Sequence, residues 1–319
     1  MTKFRFHNKK KGTTALITAA LLALALLFTG CSNGSGSGGG TGTPSSADKT
    51  YMVSGISFTM KGIAAVTNGS IGHTNAPHTV SLSAYLIGET EVTQELWQAV
   101  MGNNPSWFKG SSNPPESGEE QGKRPVEKVN WYQCIAFCNK LSKLCNLDPC
   151  YTVSGVDFDV LNFGGIPTSS NNDWNKAVCD WSKNGFRLPT EAEWEWAAMG
   201  GKQYRWAGTD SEDELENYAW YADNSDYKAH EVKRKEANGY GLYDMSGNVV
   251  EWCWDWYDDS IPADGHTDPK GVSSGSLRVI RGGGWLTGTV YAARAVRGFN
   301  LPGDRYASLG LRVAYSVGR

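Results

Sequence analysis

The sequence predicts an α+β domain in which loops outweigh regular elements. Three observations carry this expectation. Helical periodicity is confined to segments near residues 94, 131 and 191, all before Gly201. Beyond Gly201 the chain is dense in turns and short strand-like runs, with Gly282-Gly283-Gly284 as its tightest cluster. Finally, 13 Trp and 14 Tyr supply aromatic bulk for one large core or two small ones in the roughly 270 residues that follow position 49.

The chain opens on a segment foreign to that fold. Lys3, Arg5, Lys9, Lys10 and Lys11 precede an apolar run from Thr13 to Phe28 and the exit Thr29-Gly30-Cys31. A basic start, a short apolar stretch and small residues at the exit describe a secretory leader. The run falls short of the roughly 20 residues that cross a bilayer comfortably. Cys31 directly after Gly30 resembles a bacterial lipobox, so residues 1–31 are expected to leave as a leader with Cys31 lipidated. Residues 32–49, rich in Gly, Ser and Thr, read as a flexible tether. The expectation is an exported lipoprotein on the outer membrane or cell surface, held to the membrane through Cys31, with residues 50–319 as its folded domain.

The elements follow in order. Gly88 to Thr93 leads from a strand to a helix over Gln94–Met101, with Thr93 as its N-cap. Residues 102–124 are rich in Asn, Pro, Gly and Ser and read as a long loop. Apolar residues at Ile135, Phe137, Cys138, Leu141 and Leu144 predict a helix from Asn130 to Cys145. Thr190 and Glu193 form a capping box at the start of a third helix, which Gly200-Gly201 ends. Cys134, Cys138, Cys145, Cys150, Cys179 and Cys253 remain beyond Cys31, an even number that permits disulfides after export. Pairing is not readable from sequence; Cys150 with Cys179 is the favoured pair.

Charge and motifs exclude several classes. A net charge of −3 without a basic stripe argues against nucleic acid. No H-E-x-x-H helix or phosphate-cradling loop followed by Lys occurs, and His73, His78, His230 and His266 are too scattered for a zinc site. The strongest local signal is Tyr240 to Trp252. Asp244, Asn248 and Glu251 set hard oxygen donors within a short span, as Ca²⁺ requires. The same spacing also suits a polar turn that caps its own backbone.

Gly185 to Ala198, Tyr240 to Trp252, Arg281-Gly-Gly-Gly-Trp285 and Leu309-Gly-Leu-Arg312 resemble the formylglycine-generating enzyme (sulfatase-modifying factor) family. Gly88 to Trp97 and Val129 to Leu141 fit it in the same order. The resemblance implies a loop-rich C-type lectin-like fold. It also implies calcium at Asp244 and Glu251 by side chain and at Gly247 and Val249 by carbonyl, with a weaker second site near Asn224 and Asp226. The family's oxidation uses two cysteines, since thiolates bind copper. Their places fall at about Thr287 and Ala292, and no cysteine follows Cys253. The His-rich site of the related iron-dependent sulfoxide synthases is missing as well. Catalysis is therefore not expected; a divergent oxidase is the alternative. A calcium-dependent lectin is the third reading, against which stands the absence of its sugar-binding tripeptides.

Leu286 to Ser308 lacks a hydrophobic period yet mixes Tyr, Phe, Leu, Asn, Asp and Thr, a composition akin to a paratope. This arrangement resembles the C-terminal variable region, here about 281–312, of diversity-generating retroelement variable proteins. Diversification of Asn codons at adenines never yields Lys, Glu, Gln, Met or Trp. Those types make up 58 of the 319 residues, and Leu286 to Ser308 holds none. Outward, ligand-binding candidates are Thr287, Thr289, Val290, Tyr291, Phe299, Asn300, Leu301, Gly303, Asp304, Tyr306, Ala307 and Ser308, with Trp285 as core or floor. Arg294, Arg297, Arg305 and Arg312 are expected to tie loops together, and Pro302 to fix a turn. The expected partner is a macromolecule, a protein or another cell-surface component.

Overall fold

The computed structural model describes residues 5–6, 47–260 and 264–317. Cys31 and nearly all of the expected leader and tether lie outside the described residues. The chain begins with β1 (Lys49–Val53) and β2 (Ile56–Ile63), a hairpin turned at Ser54-Gly55, where both residues adopt positive φ. A second hairpin follows, β3 (Val66–His73) and β4 (Ala76–Leu82), and then β5 (Tyr85–Gly88).

The first helix, α1, spans Gln94–Met101. The Thr93 hydroxyl accepts from Leu96 N at its start, and Gly102 closes it in the left-handed region. The second, α2 (Trp131–Leu144), carries a reciprocal capping box between Asn130 and Gln133. β6 (Phe186–Arg187) leads to α3 (Glu191–Met199), whose Thr190–Glu193 capping box and Gly200 stop match the expectation. The remaining labelled strands are β7 (Val250–Trp256), β8 (Arg278–Arg281), β9 (Gly298–Asn300), β10 (Leu309–Leu311) and β11 (Ala314–Ser316).

Two sheets frame the core. One runs β1-β2-β5-β11-β6, and the other runs β9-β8-β7-β10, with Arg5–Phe6 antiparallel on the outer edge of β9. β10 joins β7 in parallel register, Glu251 opposite Gly310, so the C-terminal chain closes against the strand that follows the Asp244 turn. Trp97, Trp131, Phe137, Phe186 and Trp252 fill the space between α1, α2 and the sheets. A second cluster centred on Trp194 packs the other side of α3 against Ile87, Met245 and Val279. The aromatic-rich core expected from composition thus falls into two large clusters, with two smaller ones around Trp206 and around Trp285.

Cys134 and Cys138 are buried on α2 as packed thiols. Cys150 and Cys179 stand as free thiols in side-chain contact, brought together by the short pairing of Tyr151–Thr152 with Val178–Cys179.

Candidate ligand-binding site

The site is built outward from the end of β8. Gly282 and Gly283 follow Arg281 with φ of +94° and +67°. A Cβ on Gly283 would lie 2.8 Å from the Tyr291 carbonyl oxygen and 2.9 Å from the Ala292 backbone. Glycine is required there by conformation and by space together. This close approach turns the chain so that Trp285 N donates to Asn248 O at 2.7 Å. The Trp285 side chain is 9 % exposed and meets Phe108 edge-on, with ring centroids 5.1 Å apart. Its Nε1 donates to Ala307 O at 2.9 Å, which joins the two ends of the segment under one ring.

From Trp285 onward the segment is held largely by its backbone. Ser225 Oγ donates to Trp285 O, Ala222 N to Thr287 O and Trp206 Nε1 to Thr289 O. Ser246 Oγ donates to Ala292 O, and Arg294 N donates to Arg205 O. At the far end Trp131 N donates to Pro302 O, Lys128 N to Tyr306 O and Val250 N to Ser308 O. Except for the Arg294 N–H, the segment contributes carbonyls to these bonds, and a carbonyl accepts whatever side chain its residue carries.

Exposure sorts the candidates. Val290, Tyr291 and Leu301 are 38 %, 39 % and 48 % exposed. Thr289, Phe299, Asp304, Tyr306 and Ala307 are half-buried. Thr289 Oγ1 donates to Glu212 at 2.6 Å, and Phe299 lies against Tyr257 with centroids 4.3 Å apart, away from Trp285. Trp285 is buried, clustered with Phe108, Ala229 and Val249.

Four assignments to the outward face are corrected. Thr287 turns inward, its Oγ1 accepting from Gly284 N and donating to Gly284 O. Asn300 is buried in β9, paired across to Arg278. Gly303 has its open side against the Ser169 backbone, and Ser308 is buried. Among the arginines, Arg294 and Arg312 are buried and Arg297 is half-buried, each bonded to carboxylates. Arg305 departs from the expectation and is exposed.

Trp107 was missed by the sequence reading. It is 54 % exposed, carries Lys128 5.1 Å above its ring, and adjoins Phe108 under Trp285. The signal was there: an aromatic pair in an otherwise polar loop.

The places of the family's catalytic cysteines hold no reactive group. Thr287 spends its hydroxyl on local backbone, and Ala292 is buried beside Trp206 and Leu215.

The calcium residues present a mixed picture. Asp244 is buried, its Oδ2 accepts from Lys233 N, and its Oδ1 has no hydrogen-bond partner. Burial is the main cause that pushes its carboxyl up to about 6. Glu251, in contrast, is engaged at both oxygens by Arg312 and by Trp194 Nε1. The guanidinium thus supplies positive charge where the resemblance implied an ion. Asn224 caps its own turn, accepting from Tyr221 N and donating to Ala219 O. Among the described residues, no group of three or more His, Cys, Asp or Glu is arranged to hold a metal.

Comparison with known proteins places this geometry. The profile of the "Sulfatase-modifying factor enzyme 1-like domain" matches residues 41–317. The solved structure of Treponema denticola variable protein 1 superposes with a TM-score of 0.82 at 60 % identity, covering 85 % of this chain and 99 % of that one. The chaperone protein LppX of Paenibacillus barcinonensis is 36 % identical over 65 % of this chain and 71 % of its own. The formylglycine-generating enzyme of Streptomyces coelicolor is 37 % identical over 44 % of this chain, and the matched part spans half of that enzyme.

Proposed function

The chain belongs to the sulfatase-modifying factor enzyme 1-like family, and from that premise we propose that it is a non-catalytic variable protein, displayed as a surface lipoprotein, that binds a macromolecular ligand. The ligand surface centres on Val290, Tyr291, Leu301, Asp304, Tyr306 and Ala307 above Trp285. One observation carries the reading: scaffold groups hold this segment through its carbonyls, so outward side chains can change without cost to the bonds that shape it. The 60 % identity to a Treponema variable protein supports it, as does the absence of any cysteine after Cys253.

Sequencing the coding segment for Arg278 to Arg312 and its neighbourhood tests this. A near-copy differing only at adenines, beside a reverse transcriptase, is the expected result. Substitutions spread evenly over Arg281, Arg294 and Arg312 would contradict it. Conversion of a cysteine substrate to formylglycine with copper supplied would also overturn the non-catalytic reading. Anchoring rests on Cys31, and Cys31→Ala is expected to abolish partitioning into the detergent phase; unchanged partitioning refutes the anchor.

We propose calcium at Asp244, Gly247 and Val249 as a structural rather than catalytic partner, on the strength of the unpartnered Asp244 Oδ1. Glu251 would join only by sharing its carboxylate with Arg312. Unfolding temperature measured in calcium and in a chelator decides this: a rise with calcium that Asp244→Asn removes supports the ion. Identical curves sink it.

A further inference from the structure

A cavity of about 570 Å³ opens beside α3, lined by the β3–β4 hairpin, the end of β7, residues 266–272 and Ala295 to Arg297. Its lining includes none of Val290, Tyr291 or Leu301. The volume falls within the range of small-molecule sites. Ile71, Val80, Ala192 and Trp256 are buried and give it apolar walls.

Its polar end is unusual. Four carboxyl groups line the cavity, those of Glu191, Glu195, Asp255 and Asp258, against the cations of Arg297 and Lys270. Glu191 is spent on Arg297 through two bonds of 2.6 and 2.8 Å. Glu195 is spent on Arg281 and Arg294. Asp255 is different. It is 4 % exposed, and its Oδ2 accepts from the Glu191 backbone N–H at 2.8 Å at the start of α3. No salt bridge reaches it among the described residues. His78 also lines the cavity, with its Nδ1 turned against Gly72. Asp255 is therefore a buried carboxyl on the cavity wall that is held by one backbone N–H and, among the described residues, no cation.

We propose that this cavity is a second binding site, taking a small organic cation: a primary amine or amidinium carried on an apolar body. The cation meets Asp255, and the body lies among Val80, Ala192 and Trp256. Burial, and after it the neighbouring Glu191 charge, push the Asp255 carboxyl up to about 8; a bound ammonium supplies the counter-charge against which that carboxyl gives up its proton. A ligand anion would meet four carboxyl groups and is disfavoured. The site is independent of the ligand surface above Trp285.

The test uses the described domain in its full chain, with benzylamine and benzamidine as probes and benzyl alcohol as the uncharged control, read by calorimetry and protein NMR. Both cations are expected to bind, with shifts at Trp256 and Val80. Asp255→Asn keeps an oxygen for Glu191 N–H and is expected to fold, with thermal unfolding as the check, and to weaken the cations about tenfold or more. Ala76→Phe at the mouth blocks entry by a route that leaves Asp255 in place. Val290→Ser with Tyr291→Ser leaves probe binding unchanged. Equal binding of benzyl alcohol, or equal binding by folded Asp255→Asn, overturns the assignment of a cation. Failure of every probe to bind the unmodified chain overturns the site.

Discussion

Glu127 sits beside Phe108, fully buried, with Oε1 accepting from Phe108 N at 2.8 Å and Oε2 lacking a partner. Burial pushes its carboxyl from 4.5 up to about 8. Because the folded value is raised, the protonated form is the one the fold favours. Its contribution to stability is complete below about 4.5 and is lost as pH rises through about 8. Thermal unfolding from pH 6 to pH 9 is therefore expected to show the unmodified chain losing stability relative to Glu127→Gln. Parallel curves for the two would contradict this account of Phe108 and Trp285. Trp285→Ala removes the ring that links Phe108 to Ala307 and is expected to cost about 3–5 kcal/mol in urea unfolding. A loss below about 1 kcal/mol would mean that the ring stands on the surface and is no floor.

At the scale of elements, α3 organises the segment that follows β8. Glu191, Glu193 and Glu195 alternate with apolar residues and between them engage four arginines, Arg281 being shared by Glu191 and Glu195. Glu193 holds Arg187 at β6, Glu195 holds Arg281 and Arg294, and Glu191 holds Arg297. Three of those arginines bracket the turns around Trp285, so this helix fixes where the variable segment begins and where it bends. Glu195→Gln leaves two buried guanidinium groups short of a carboxylate and is expected to cost about 3–5 kcal/mol in denaturant. Glu191→Gln leaves Arg281 its shorter bond to Glu195, chiefly affects the half-buried Arg297 and costs less. Equal losses would show that burial of the partner does not set the ranking. The short pairing of Tyr151 with Cys179 yields a separate expectation. Under a disulfide oxidant, Cys150 and Cys179 each give up a proton and an electron and join. A bridged peptide lighter by two hydrogens, with a gain of about 3 kcal/mol from the closed loop, is the predicted product. Persistent alkylation of both thiols under the same oxidant contradicts it.

Across the whole molecule, legibility followed local chemistry. Thr93, Asn130 and Thr190 begin their helices where the sequence places them, because caps and apolar periods act within a few residues. The triple glycine after Arg281 stood out as the tightest cluster of the turn-rich half, and Gly283 makes a close backbone approach there. Inward and outward faces of Leu286 to Ser308 were not legible. The segment has no period of its own, and its burial is imposed by loops 102–128 and 205–230 that lie far away in sequence. Hence Thr287, Asn300, Gly303 and Ser308 were placed outward and Arg305 inward, each against the structure. The two sheets were foreseen only as a class, since strands as short as Phe186–Arg187 or Leu309–Leu311 leave no pattern to read.

The central claim is that the scaffold fixes the segment's path through backbone bonds in which its exposed side chains take no part. Thermal unfolding of a chain carrying simultaneous replacements at the exposed Val290, Tyr291 and Leu301 tests it most directly. The account predicts an unfolding midpoint within a few degrees of the original, as expected for substitutions away from the core. A fall as large as that caused by replacing the buried Asn300 and Ser308 would contradict it.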